Sequence, residues 1–149
     1  MFKKPIRTVT RVFLHCSASD NVGPEYEGKG LVKTITAWHV ARKFATIGYH
    51  FVIDKKGVVE PGRNIESTPA AQEKNNLGTI AICLHGLKKD KFTQQQFNSL
   101  RQLCGEINKA YNGKITFHGH KEVSSKDCPV FDYKMVLGLD AKGYTKLGV

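Results

Sequence analysis

The sequence predicts an α/β fold: a single domain, 1–149, in which a mixed β-sheet is flanked by helices. Three observations carry that expectation. β-branched or apolar stretches occur at 8–15, 47–54 and 79–86, and segments with helical spacing lie between and after them. Nothing divides the chain, since it has no repeat, low-complexity tract or linker-like run. At 149 residues one core can be buried without disulfide staples.

The elements follow in order. "TVTRVFLH" (8–15) reads as a strand ending at His15, and the turn-rich "CSASDNVGPEYEGKG" follows as a loop. From Thr34, a candidate N-cap, Ile35, Trp38, Ala41 and Ala45 recur at helical spacing, which predicts a helix to about 45. "IGYHFVID" (47–54) is a strand, and Lys55-Lys56-Gly57 turns it into "VVEPG" as a hairpin. After a loop over 62–78, "TIAICLHG" (79–86) is apolar nearly throughout, as a strand at the centre of a sheet is. Thr93 and Gln96 have capping-box spacing, and Phe97, Leu100, Leu103, Cys104, Ile107 and Tyr111 share one helical face. Asn112-Gly113 ends that helix, and "KITFHGH" is a last short strand.

Composition narrows the function classes. Hydrophobic residues at 40% and charged residues at 24% exclude a disordered chain, and no apolar run reaches the roughly 18 residues of a membrane span. Lys+Arg 23 against Asp+Glu 13 gives +10, spread along the chain, which favours an anionic partner such as nucleic acid, acidic lipid or a cell-wall polymer. Arg11 interrupts the apolar part of "MFKKPIRTVTRVFLHCSAS", so synthesis in the cytoplasm without a signal peptide is expected. Four cysteines without framework spacing fit a reducing compartment, leaving Cys128 a free thiolate donor.

"HGHKEVSSKDC" (118–128) concentrates the chemistry. Catalytic zinc takes three N, S or O protein ligands and leaves a fourth position for water. His120 and Cys128 lie eight apart across a loop, so a strand end and a returning loop can point at one ion. The third ligand must come from elsewhere, and His15 is the candidate because α/β sheets place their sites at strand ends. His118 shares a strand face with His120, which suits an alternative ligand, a supporting contact or plain polar contact. Nothing pairs His39 or His85 with a ligand set, and His50 points opposite Tyr49. Cys83 and Cys104 read as core residues, and Cys16 is ambiguous, since it faces away from the site that its neighbour His15 faces.

In "FLHCSAS", "IGYHFVIDKKGVVEPGR", "IAICLHG" and "HGHKEVSSKDCP", over about 9–133, the chain resembles the type 2 zinc N-acetylmuramoyl-L-alanine amidases. That family includes phage amidase-type lysozymes, and the peptidoglycan recognition proteins are its relatives. The resemblance implies an amidase / peptidoglycan recognition protein-like fold, with Zn²⁺ held by His15, His120 and Cys128 and with Tyr49 and Lys126 as catalytic helpers. Glu122, in the family's His-x-Glu, is a weaker candidate for orienting a ligand or sitting at the rim. Two positions depart from the family pattern: Pro69-Ala70-Ala71-Gln72 stands where Gly-Ala-His-Ala is common, and Ser125 where proline is.

The implied reaction is hydrolysis of the amide between N-acetylmuramic acid and L-alanine of peptidoglycan, with water activated by the metal. Lys126 and Tyr49 would stabilise the oxyanion or relay a proton. The implied setting is an endolysin-like monomer that acts on the wall after release, with peptidoglycan rather than nucleic acid as partner. Two other classes are consistent with the resemblance. One is a peptidoglycan-binding module without catalysis, which the complete ligand set argues against; the other is an added role as partner of a phage RNA polymerase.

Overall fold

A computed structural model describes residues 2–149. The described residues form one five-stranded sheet of order β3-β2-β4-β1-β5, with β1 (Arg11–Cys16), β2 (Phe51–Ile53), β3 (Val59–Pro61), β4 (Thr79–Leu84) and β5 (Thr116–Gly119). β4 pairs in parallel with β1 and β2, β1 in parallel with β5, and β3 runs antiparallel to β2. The apolar β4 is the central strand, every residue of it buried, as its composition predicted.

The chain leaves β1 through α1 (Gly28–Ala41) to reach β2, and leaves β4 through α2 (Gln94–Ala110) to reach β5. These two crossovers run in opposite directions across the sheet. Parallel crossovers share one hand, so the helices fall on opposite faces. Leu31 and Ile35 of α1 pack with Ile47, Val52 and Cys83 on one face. On the other face Leu100, Leu103, Cys104 and Ile107 of α2 pack with Val12, Leu14, Ile80, Ile82 and Leu84. Strand order reverses between β4 and β1, where open α/β sheets bind ligands at the carboxyl ends of their strands.

Several boundaries differ from the sequence expectation. β1 begins at Arg11, three residues late, because its partner β4 begins at Thr79; the Gly78 carbonyl accepts from the Thr10 and Arg11 amides just before the ladder opens. β2 is confined to 51–53; before it, backbone bonds continue at His50 and Tyr49, but side chains also enter, Gly48 N–H donating to His39 Nδ1 and Ala81 N–H to His50 Nδ1.

α1 begins at Gly28 rather than after Thr34, and ends at Ala41 rather than 45. Its first turn is capped from a distance by Asp54, which accepts from Gly28 N–H at 2.8 Å. Gly30 sits where a Cβ would lie 2.3 Å from the Pro24 carbonyl oxygen. Thr34 is no cap; its hydroxyl donates to the Glu25 carbonyl oxygen. α2 has the expected capping box, with Thr93 accepting from Gln96 N–H and Gln96 from Thr93 N–H.

Residues past 132 add a short α3 (Tyr133–Leu137) and a tail that covers the β5 edge, where Phe117 N–H donates to the Gly143 carbonyl. No helix among the described residues is long and apolar enough to cross a membrane.

His50 is 1% exposed, with Nδ1 accepting from Ala81 N–H and Nε2 donating to the Ser67 carbonyl. Burial pushes its pKa down from 6.5 to about 4; the Ser67 bond opposes this and the Arg7 and Arg63 charges reinforce it. Above about pH 6.5 the ring is neutral folded or unfolded. Below that the unfolded chain takes up the proton first, so stability should fall as pH drops from about 6.5 toward 4, by up to about 3 kcal/mol from this group. Urea denaturation of metal-free protein across that range should show the decline. The His50 NMR signals should stay those of a neutral ring down to about pH 5, and a midpoint near 6.5 would contradict the assignment.

Candidate metal centre

Parallel pairing of β1 with β5 places Leu14 opposite Gly119, so the next residues, His15 and His120, emerge side by side. Their rings lie 4.7 Å apart, tilted by 52°. His15 closes the inward-facing row of β1, whereas His120 has left β5 and opens a 3-10 turn, His120–Glu122. The following loop returns to the same place. Lys121 N–H donates to the Cys128 carbonyl, Lys121 pairs with Asp127 at 3.0 Å, and Ser124 Oγ accepts from Lys126 N–H. Cys128 is thereby held with Sγ 3.8 Å from His15 Nδ1.

Among the described residues, His15, His120 and Cys128 form one cluster whose donor atoms all lie within 4.8 Å of one another. Two imidazoles and a thiol, converging from a strand end and a separate loop, are a donor set suited to zinc. The histidines are in the form a metal needs. Burial, followed by the nearby His120, pushes His15 down to about 3, and burial and the Lys126 charge lower His120. Both rings are therefore neutral near pH 7 with a lone pair to offer. The cluster opens into a cleft of about 290 Å³, also lined by His39, Tyr49 and Lys126. Arg42, Phe44, His120 and Lys126 continue as walls of an adjoining space of about 560 Å³, which Glu73 and Lys74 also line.

The other residues singled out in the sequence fall in different places. Tyr49 lies against His15, ring centres 5.1 Å apart, and its hydroxyl meets the Cys83 thiol. Burial raises its pKa well above the usual phenol value, so it remains a hydroxyl donor at working pH. Glu122 faces away from the cleft: one oxygen bonds His118 Nδ1 at 2.9 Å, and the other accepts from Gly119 N–H and the Tyr133 hydroxyl. Burial opposes its ionisation, but the Tyr133, His118 and Gly119 bonds outweigh that and hold its pKa low. Its carboxylate braces the 3-10 turn. His118 is spent on Glu122 and Thr116 and supplies no donor to the cluster.

Cys16 meets the cluster from the other layer of the sheet. Its side chain does point to the α2 face, away from His15, but Cys128 returns on that side and meets it. Cys16 N–H donates to Cys128 Sγ at 3.4 Å, and the two thiols hydrogen-bond each other. All four cysteines are free.

Two residues near the cluster, His39 in the cleft wall and Gln72 behind His15, went unassigned in the sequence. His39 falls on the Leu31, Ile35, His39 stripe of α1, a four-residue spacing that would have placed it toward the sheet; its ring lies 5.3 Å from that of Tyr49. Gln72, fully buried, reaches His15 across 57 residues of sequence, and no local pattern marks it.

Known proteins are similar to this chain over most of its length. The family model described as N-acetylmuramoyl-L-alanine amidase matches residues 5–131, which include His15, Tyr49, His120, Lys126 and Cys128. The endolysin of Enterobacteria phage T3 is 36% identical, across 88% of this chain and 87% of its own length. That of Escherichia phage T7 is also 36% identical, across 83% and 82%. Among solved structures, the N-acetylmuramoyl-L-alanine amidase LysC from Clostridium intestinale superposes with a TM-score of 0.75 at 26% identity, over 89% of this chain and 85% of its own. Drosophila peptidoglycan recognition protein SD shares the fold, with a TM-score of 0.78 at 18% identity over 97% and 88%. With a match that spans every strand of the sheet and all three donors of the cluster, the chain belongs to the N-acetylmuramoyl-L-alanine amidase family.

Proposed function

We propose that this protein is an endolysin-like, zinc-dependent amidase that cleaves the bond between N-acetylmuramic acid and the L-alanine of the peptidoglycan stem. The observation that carries the metal is the convergence of His15, His120 and Cys128 donor atoms at the floor of a cleft. His15, His120 and Cys128 would hold a zinc ion, which would supply Lewis acidity for activating water near neutral pH and polarising a carbonyl.

The surrounding residues have separate tasks. The Lys126 ammonium, at the wall shared by both parts of the cleft, offers positive charge to the oxygen that becomes negative as the amide carbon turns tetrahedral. Tyr49 offers a neutral hydroxyl, since its proton is held well beyond working pH. It donates to that same oxygen or passes a proton toward the leaving amine. Release of the enzyme to the wall and action as a monomer complete the proposal. The phage endolysin relatives and the +10 charge, which favours an anionic polymer, support the wall as its place of action.

Purified protein should contain one zinc per chain, lose activity to a chelator and regain it on zinc add-back. Cys128→Ser should bind zinc far more weakly, because a neutral hydroxyl is a poor substitute for a thiolate. Full wall-degrading activity in verified metal-free protein would overturn the reading.

Lys126→Ala and Tyr49→Phe should keep the metal and lose turnover by about 10²–10³-fold each, the usual cost of removing an oxyanion donor. Wild-type turnover in zinc-loaded variants would remove both residues from the mechanism.

Digested peptidoglycan should show new L-alanine amino termini and unchanged reducing sugar ends. New reducing ends without free alanine would indicate glycan cleavage instead, and no products from zinc-loaded protein would indicate a binding module.

A further inference from the structure

An imidazole has two nitrogens, and only one of His15's can face the cluster. Nδ1 lies toward Cys128 Sγ at 3.8 Å, while Nε2 lies 2.8 Å from Oε1 of Gln72. Which nitrogen carries the proton is decided by the bonds around Gln72, and these form a closed chain.

The Thr79 hydroxyl has one hydrogen, and it goes to the Asn76 carbonyl oxygen at 2.7 Å. Toward Gln72, also at 2.7 Å, Thr79 Oγ1 can therefore only accept, so the amide nitrogen must point at it. The second amide hydrogen goes to the Asn75 carbonyl at 3.3 Å. That leaves Oε1 facing His15, and Oε1 is an acceptor only. The proton of neutral His15 then sits on Nε2, and the lone pair sits on Nδ1, directed at the cluster. Gln72 and Thr79 are both fully buried, so water does not compete for these bonds. The backbone is held as well, with Ala71 and Gln72 N–H groups donating to Asn76 Oδ1 at 3.0 and 2.9 Å.

We propose that Gln72 is a positioning residue for the metal centre: it fixes His15 as the Nε2–H tautomer and presents Nδ1 to zinc. The proposal rests on reading His15, His120 and Cys128 as a metal site. A ligand histidine whose second nitrogen is anchored is a more basic ligand and is already aimed before the metal arrives. Gln72 lies in the four-residue segment, Pro69 to Gln72, where the sequence departs from the family pattern, so this support belongs to this chain's own solution of the site. Asn76 and Thr79 are the parts that hold the glutamine in turn.

The test measures zinc affinity, by competition with a chromophoric chelator, for the wild type, Gln72→Leu and Gln72→Glu. Circular dichroism melts of the metal-free proteins establish that each is folded. Gln72→Leu should bind zinc about 10–100-fold more weakly. Gln72→Glu, which keeps an acceptor opposite Nε2, should recover most of that loss. In parallel, two-bond proton–nitrogen correlation spectra of zinc-loaded wild type should show His15 protonated at Nε2 and coordinated through Nδ1, a result that holds even if a variant fails to fold. Coordination through Nε2, or wild-type affinity in folded Gln72→Leu, would overturn the proposal while leaving the metal centre intact. Absence of zinc binding by the wild type would sink the metal centre itself, and the role of Gln72 with it.

Discussion

The parallel pairing of β1 between β4 and β5 is the constraint on which the site depends. In β1, residues 12, 14 and 16 face α2 and residues 13 and 15 face α1, so a register slip of one residue would turn His15 into the opposite layer. Register is fixed by the apolar rows: Val12 and Leu14 are fully buried against α2, and a one-residue slip would exchange them for Phe13 and His15. The hydrophobic core and the geometry of the donor cluster are thus one problem with one solution. His120 inherits its place from the same ladder, through the pairing of Leu14 with Gly119.

The third donor has no ladder to hold it, and the chain supplies other restraints. Glu122 braces the turn below His120 from three sides, and the Lys121 amide closes the loop onto Cys128. Gly119 is needed at this crowded point, because a Cβ there would lie 2.5 Å from the Tyr133 ring. A carboxylate that resembled a catalytic group in the sequence is therefore placed to shape the backbone that carries the cluster's donors. Its three bonds also explain why it stays ionised although partly buried.

What the sequence disclosed and what it hid follow the range of the interactions. The capping box of α2 involves residues three apart, and the burial of β4 is written in its own composition; both were legible. His120 and Cys128 are eight apart on one loop, close enough for spacing to suggest a shared ion. The start of α1 was misplaced because its cap, Asp54, lies 26 residues away, and Gly30 responds to a contact with Pro24 that no periodicity encodes. The role of Gln72 was invisible for the same reason: its partner is 57 residues distant, and a glutamine between Ala71 and Glu73 carries no local pattern. His39 was the avoidable miss, since it continues the Leu31 and Ile35 stripe.

Charge is divided in the same way between inside and outside. The histidines at the floor of the cleft are held neutral, by burial above all, with His15 down to about 3 and His39 to about 4. At the rim stand Arg42, Lys74 and Lys126, with Glu73 among them. Rim charges interact with a polymer through water, and screening over a Debye length of about 8 Å at physiological salt weakens that attraction. The contacts between His15 and its neighbours are buried and short, so salt affects them far less. Ionic strength therefore acts chiefly on how readily the protein gathers on an anionic wall, whereas the arrangement of donors at the floor is set by packing and hydrogen bonds. A basic surface and a neutral, preorganised floor can coexist because the two are governed by different dielectric surroundings.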